Sequence, residues 1–225
     1  MTEPTRTVHH GDGVAFLEQN SLPADAAIVT SLPDSVELPR LQFDEWRSWF
    51  IRVAELACRA THPQAVTIFY QTDVKREGTW VDKAFLVQLG AEHAGSATLF
   101  HKVVCRAPAG TITFGRPAYA HLLGFSRELR LTPAQSSADV LPQMGKMTWP
   151  RAMGSDACLA TCRFLLAHTA CRTVVDPFCG VGTLLSVANS LGMAAIGVEL
   201  SRKRAERART LAFTPEAEGA RRPSD

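Results

Sequence analysis

The sequence has no apolar run approaching the roughly 20 residues that span a membrane, and its polar N-terminal residues do not read as a signal peptide. It also lacks an excess of charge. The formal net charge is +2, so no whole-molecule field points to a polyanionic partner. The six cysteines (Cys58, Cys105, Cys158, Cys162, Cys171 and Cys179) form no CxxC pair, and their scatter reads as reduced thiols of a cytoplasmic protein. Cys158 and Cys162 stand one helical turn apart, but with no second ligand pair they read as small core-facing hydrophobes, and no metal site is expected. Internal repeats are absent as well.

What is present is a balanced globular composition. With 225 residues, 46% hydrophobic and 20% charged, the chain suits one α/β domain with a full core. Thr5 to His9 is a short strand candidate, followed by Gly11-Asp12-Gly13 and an amphipathic helical turn over Val14 to Glu18. Ala26 to Thr30 (AAIVT) is a continuous small-apolar run, as a strand buried on both faces requires. Ser31-Leu32-Pro33-Asp34 ends it, because proline cannot donate to a strand ladder. Phe43 to Ala60 repeats apolar residues at three- and four-residue steps and predicts a helix. Val66 to Tyr70 is the next buried strand, Gln71 to Gly78 a polar stretch, and Lys83 to Glu92 a helix.

Ala97 to Val104 and Tyr119 to Phe125 predict an antiparallel hairpin at a sheet edge, with turn residues at Ala109-Gly110 and Gly115-Arg116-Pro117 between them. Ser126 to Gly145, with Pro133 and Pro142, reads as a surface loop of about twenty residues. A helix over Met153 to Ala167 and a basic helix from Arg202 to Leu211 complete the elements. The domain is set at residues 1–213, and Thr214 to Asp225, rich in charge and without large apolar residues, reads as a disordered tail.

The most informative stretch is Thr173 to Ser201, TVVDPFCGVGTLLSVANSLGMAAIGVELS. It reads as strand, glycine turn, helix, strand. Gly180 and Gly182 let the backbone turn sharply and approach a ligand, and Thr183 to Ser190 forms a helix whose free N–H groups face that turn. Glu199 ends the second strand, where a carboxylate can take both hydroxyls of a ribose. A dinucleotide fingerprint wants a third glycine where Leu185 stands, and Asp176 before the turn would repel a pyrophosphate. An acid there suits a ligand with an ammonium group. S-adenosyl-L-methionine carries an ammonium, a ribose and a sulfonium, and matches Asp176 and Glu199.

DPFCGVGT followed by GVELS resembles the cofactor motifs of class I S-adenosylmethionine-dependent methyltransferases. SLPD after AAIVT resembles the (S/D/N)-P-P-(aromatic) motif of methyltransferases acting on nucleobase amino groups. Its place upstream of the cofactor motif is similar to the permuted DNA amino-methyltransferases (N4-cytosine or N6-adenine). HHGDGVAFL, GRPAYAHLLGFSR and MTWPRAMGSDACLATCRFLL resemble further segments of that family. The resemblance implies a Rossmann-like methyltransferase fold. Its mainly parallel, seven-stranded sheet runs 3-2-1-4-5-7-6, with an antiparallel edge hairpin and the chain cut between the Arg202 helix and the Thr5 strand.

It also implies roles. Glu199 would bind the ribose, Asp12 the adenine amino group, and Asp176 with the backbone around Gly180 the methionine end; Phe178, Cys179, Gly182 and Thr183 would line the same pocket. Lys146 and Thr148 are further candidates for the cofactor carboxylate. Ser31 and the Leu32 carbonyl would hold the amino group to be methylated, with Pro33 and Asp34 completing the catalytic turn. Two departures stand out: Leu32 replaces a proline, and Asp34 replaces the aromatic that stacks on the base. Trp46 and Trp80 are candidates for the missing stacking, and Asp34 for a general base.

The expected reaction is N-methylation of a base in RNA or DNA. Arg127, Arg130, Lys75, Arg76, Lys102, Arg106 and Arg116 are candidates for a phosphate-binding rim. The alternatives are a small-molecule or protein methyltransferase, or a non-catalytic cofactor- or RNA-binding relative. The sequence assigns no oligomeric state.

Overall fold

The Ala26–Thr30 and Thr173–Asp176 runs lie side by side at the centre of one sheet, and each is buried along its whole length. The computed structural model describes residues 4–214. The chain enters through β1 (Arg6–His10), α1 (Gly13–Gln19) and β2 (Ala26–Thr30), then α2 (Phe43–Ala60) and β3 (Thr67–Gln71). A small hairpin of β4 (Val74–Arg76) and β5 (Thr79–Val81) leads to α3 (Lys83–His93), β6 (Ala97–Cys105), β7 (Tyr119–Ser126) and β8 (Val140–Leu141). The last part is α4 (Ser155–His168), β9 (Thr173–Asp176), α5 (Thr183–Ser190), β10 (Ala194–Glu199) and α6 (Arg202–Thr210).

Among the described residues the main sheet has eight strands, in the order β1-β10-β9-β2-β3-β7-β6-β8. The five from β1 to β3 are mutually parallel, and β7 runs against both β3 and β6. The expected 3-2-1-4-5-7-6 order is therefore present, with the chain beginning at the third position. The eighth strand is a correction to the expected seven. It arises inside the stretch read as a surface loop, where Val140 and Leu141 pair with Val103 and Val104 and cover the edge that β6 would otherwise expose.

Strict alternation sends side chains to two layers. Ala27, Val29, Val174, Ile68 and Leu122 face α4, α5 and α6. Ala26, Ile28, Val175, Phe69 and Leu123 face α1, α2 and α3. A sheet covered on both faces needs strands apolar throughout, which is why AAIVT reads as a run and not an alternation. Of the expected α2 stripe, Trp46, Phe50, Val53 and Ala57 are fully buried, while Phe43, Leu56 and Ala60 are partly buried at its margin, each large buried ring contributing about 2–3 kcal/mol. Cys158 and Cys162 lie in the opposite core with their thiols buried.

Two local expectations change. The polar stretch from Gln71 to Gly78 contains a strand and half of a hairpin, since Glu77 and Gly78 both take left-handed φ (50° and 78°) as a tight two-residue turn requires. The helix expected from Met153 begins at Ser155. Of the expected tail, residues 215–225 lie outside the described residues. No helix among the described residues is long and apolar enough to cross a membrane.

Candidate active site

The carboxyl ends of β1, β10, β9 and β2 are neighbours, and the residues singled out in the sequence lie at or just past them. Asp12 follows β1, Glu199 ends β10, Asp176 to Thr183 turn out of β9, and Ser31 to Asp34 leave β2. Two turns thus stand side by side, one rich in glycine and one ending in Pro-Asp.

The glycine turn is built around a buried acid. Thr30 Oγ1 donates to Asp176 Oδ1 at 2.7 Å, and the Phe178 amide donates to the same oxygen at 3.1 Å. No cationic side chain pairs with Asp176 among the described residues. Burial pushes its pKa up to about 7 against the pull of those two hydrogen bonds, and the charge of Glu199 adds to the rise. Gly182 sits at φ 84°, where a Cβ would lie 2.9 Å from the Ala208 Cα, so only glycine fits. Gly180 takes a left-handed φ of 56°, and a Cβ there would lie in van der Waals contact with the Trp149 indole nitrogen at 3.6 Å. Phe178 packs edge-on against Trp49, with ring centroids 6.2 Å apart. Cys179 turns its thiol inward against Gly197, leaving its backbone to the turn.

Glu199 is buried beside this turn. Its Oε1 accepts from the Ser201 amide at 2.6 Å and from Arg204 Nε and Nη2 at 2.9 and 2.7 Å. Asp12 caps α1, accepting from the Val14 and Ala15 amides at 2.8 and 2.9 Å through Oδ1. In both acids these hydrogen bonds fall on one oxygen of the pair.

The second turn carries an acid of opposite character. Asp34, the candidate general base, is buried at the end of this turn. It is 8% exposed, with Lys83 Nζ 2.5 Å from Oδ1 and Arg116 Nη2 3.2 Å from Oδ2. Burial lowers the Lys83 pKa, and Asp34 opposes that. The turn is locked from below by Trp46, whose indole donates to the Pro33 carbonyl at 3.1 Å. Trp46 is fully buried between Phe43 and Phe50, which removes it as a stacking surface for a ligand. Trp80 is 45% exposed on the β4–β5 hairpin, with its indole nitrogen donating to Asp73 at 3.1 Å.

Asp73 is the hub of the neighbouring network. Its carboxylate lies 2.9 Å from His121 Nε2 and accepts from the Lys83 amide at 2.9 Å, while His121 Nδ1 lies 2.9 Å from His101 Nε2. Burial opposes its ionisation, but the His121, Lys83 and Trp80 donors outweigh it and hold its pKa below the usual value.

A segment from Lys146 to Gly154 straps the two turns together. Thr148 and Thr183 share a hydrogen bond between their hydroxyls, Trp149 stands over Gly180, and Arg151 meets Glu37 at 2.7 Å beside Asp34. Arg204 lies over the Trp149 ring at 5.4 Å. The Lys146 backbone is fixed, its amide donating to Ser155 Oγ at 3.0 Å. Thr30, Lys83, Trp149 and Arg204 carry no site signature in the sequence, and Arg116 enters there only as a rim candidate. The nearness of Arg204 to Glu199 and of Thr30 to Ser31 is the one local signal, because the others arrive from distant elements.

The phosphate-binding rim does not assemble as expected. β7 is antiparallel, so Arg127 and Arg130 follow its far end and lie away from the site. Lys102 is 7% exposed, with its ammonium held by the Ser137 and Ala138 carbonyls at 3.0 and 2.9 Å. Lys75, Arg76, Arg106 and Arg116 remain on the site side.

This strand order, with a glycine turn after its central strand, is the Rossmann-like methyltransferase fold. Among solved structures, the chain is similar to PvuII DNA methyltransferase (cytosine-N4-specific), with a TM-score of 0.71, 14% identity, and coverage of 96% of this chain and 91% of that one. It is also similar to a candidate DNA modification methylase from Thermus thermophilus (TM-score 0.69, 17% identity, 91% and 92% coverage) and to M1.HpyAVI in its SAM complex (TM-score 0.60, 16% identity, 91% and 98% coverage). No protein-family model and no curated protein sequence matches the chain.

Proposed function

We propose that this protein is an S-adenosylmethionine-dependent N-methyltransferase acting on a nucleobase in DNA. One observation carries the reading. The hydroxyl of Thr30, the residue before the Ser31–Asp34 turn, donates to Asp176 at 2.7 Å, so the candidate methyl-donor and methyl-acceptor turns are bonded together. The similar solved structures support DNA over RNA, since their names specify DNA methylation.

The residues fit the cofactor. Asp176 is a buried acid with no cation paired to it among the described residues, and a ligand ammonium would supply one. Glu199 and Asp12 concentrate their internal hydrogen bonds on one oxygen each, leaving the other to accept from ribose hydroxyls and an adenine amino group. The Trp149 indole over Gly180 would form one wall of the cofactor site. Phe178, Thr183 and the backbone of Cys179 and Gly182 form the same wall.

S-adenosylmethionine supplies an already activated methyl group, so the protein has mainly to orient the acceptor. The Ser31 hydroxyl and the Leu32 carbonyl would accept hydrogen bonds from the target amino group and leave its lone pair free to attack. Lys83 and Arg116 occupy both oxygens of Asp34, which suits it to fixing the turn. Pro33 and Trp46 hold the same turn rigid.

Two measurements test this. Calorimetry with S-adenosylmethionine should show binding that weakens in Glu199→Ala. Transfer of labelled methyl to unmethylated genomic DNA, but not to total RNA, should be seen for the wild type and lost in Ser31→Ala. Absence of binding sinks the cofactor assignment, and unaltered turnover in Ser31→Ala sinks the acceptor turn.

A further inference from the structure

The loop between β6 and β7, residues 106–118, carries the two most exposed large apolar side chains among the described residues. Its tip carries Ile112 and Phe114 at 98% and 103% exposure, with both side chains open to water. Soluble proteins seldom present two such neighbouring large apolar side chains fully to water without a use for them. The tip does not hang free. Its base is closed by the Arg106 and Ala107 amides donating to the Ala118 carbonyl at 2.7 and 3.1 Å. It is tied to the site by Arg106 Nη1 to Thr72 Oγ1 at 2.9 Å and by Arg116 to Asp34.

The loop therefore stands at the carboxyl end of the parallel strands, directly beside the acceptor turn. It contains two arginines at its base and no acidic residue. Trp80, Phe85, Val36, Met147 and Leu200 are further exposed apolar side chains near strand carboxyl ends, and they share this end of the molecule. An apolar tip on a cationic base is the chemistry of a wedge. Arg106, bonded to the Thr72 hydroxyl and paired with no acid among the described residues, suits a phosphate, and the uncharged tip suits the space between stacked bases.

We propose that Ile112 and Phe114 enter duplex DNA and fill the position left by the nucleotide that turns out toward Ser31. The inference rests on the proposed activity for its direction. Its physical content, an apolar side chain replacing a missing base in the stack, can be measured without catalysis. A base cannot bring its amino group to the Ser31–Asp34 turn while stacked, and the unstacking cost falls on whatever replaces it. A single strand has no such gap to fill.

The test uses the whole chain and three fluorescent DNAs: an intact duplex, the same duplex with one abasic site, and the corresponding single strand. The wild type should bind the abasic duplex at least about tenfold more tightly than the intact one. The variant Ile112→Ser/Phe114→Ser should lose that preference and bind the single strand as the wild type does. Phe114→Leu should retain most of the preference. In methyl transfer, the duplex-to-single-strand rate ratio should fall by about the same factor. Equal preference in wild type and double variant overturns the wedge, as does a wild type that binds none of these DNAs. A drop in molecular mass by light scattering in the double variant, with DNA preference unchanged, overturns it in favour of a contact between copies of the chain. If the preference behaves as stated but no methyl is transferred, the wedge stands and the proposed activity falls.

Discussion

Asp176 and Asp34 lie on the two turns that the Thr30 hydrogen bond joins, yet the protein treats them in opposite ways. Asp176 receives a hydroxyl and an amide, and burial raises its pKa to about 7. Asp34 receives two cations, one of them buried with it. An acid that the fold leaves uncompensated is a place for a charge from outside, whereas one already saturated holds the structure around it. On the proposed reading, the contrast separates a carboxylate that would bind a ligand from one that would position the turn, without reference to any motif. It also accounts for the departure at position 34, where a charged anchor replaces an aromatic.

The contrast breaks most visibly at Lys83. Lys83→Met should leave Asp34 buried with one partially exposed partner and cost about 3 kcal/mol or more in folding stability, measured by denaturant unfolding. Because the loss is an unpaired charge and not missing attraction, Lys83→Met/Asp34→Leu should recover much of it. A double variant less stable than Lys83→Met would show that the pair itself, and not its compensation, stabilises the turn.

Asp176 should behave in the reverse sense. Its folded pKa lies above the unfolded value, so between about pH 4 and pH 7 the folded protein keeps a proton that the unfolded chain has released. Stability from this group is present at low pH and declines as pH rises through that window, by no more than about 4 kcal/mol. Asp176→Asn should flatten the decline and unfold later than the wild type at pH 8. A wild-type profile that rises across the window would contradict the uncompensated acid.

The same substitution should weaken ligand binding while it stabilises the fold. Loss of a charge-assisted contact predicts about a ten- to hundredfold weaker S-adenosylmethionine affinity by calorimetry at pH 8. The wild-type affinity should increase as pH rises through about 7, because binding an ammonium favours the ionised acid. In Asp176→Asn that dependence should vanish. An equal pH dependence in both proteins would move the ammonium site elsewhere.

The difference between the two acids is not legible in the chain. The sheet is, because AAIVT, VTIFY and TVVD are runs whose stable place is a doubly covered parallel sheet. The glycine turn and its flanking acids are local in sequence, so their grouping is visible too. Lys83 and Arg116 reach Asp34 from 49 and 82 residues away, and no local pattern records such a partnership. The rim of basic residues fails for a related reason: an antiparallel strand sends neighbours in sequence to opposite ends of the sheet, and burial ties Lys102 to carbonyls. The two-residue β8 is too short for any periodicity to announce it.

The smallest expected effect is the sharpest check on why Asp34 is held. Arg116 pairs with the same carboxylate as Lys83, but its side chain is 40% exposed against 4% for Lys83. Water screens the outer pair and can replace it, so Arg116→Gln should cost less than about 1 kcal/mol in denaturant unfolding. The loop that Arg116 anchors would lose one of its two ties to the site, and limited proteolysis should cut residues 106–118 faster in the variant than in the wild type. A loss comparable to that of Lys83→Met would mean that the two cations act as one buried unit. A small stability loss with faster cleavage would place the strength of the turn in Lys83 and leave Arg116 to hold the loop against it.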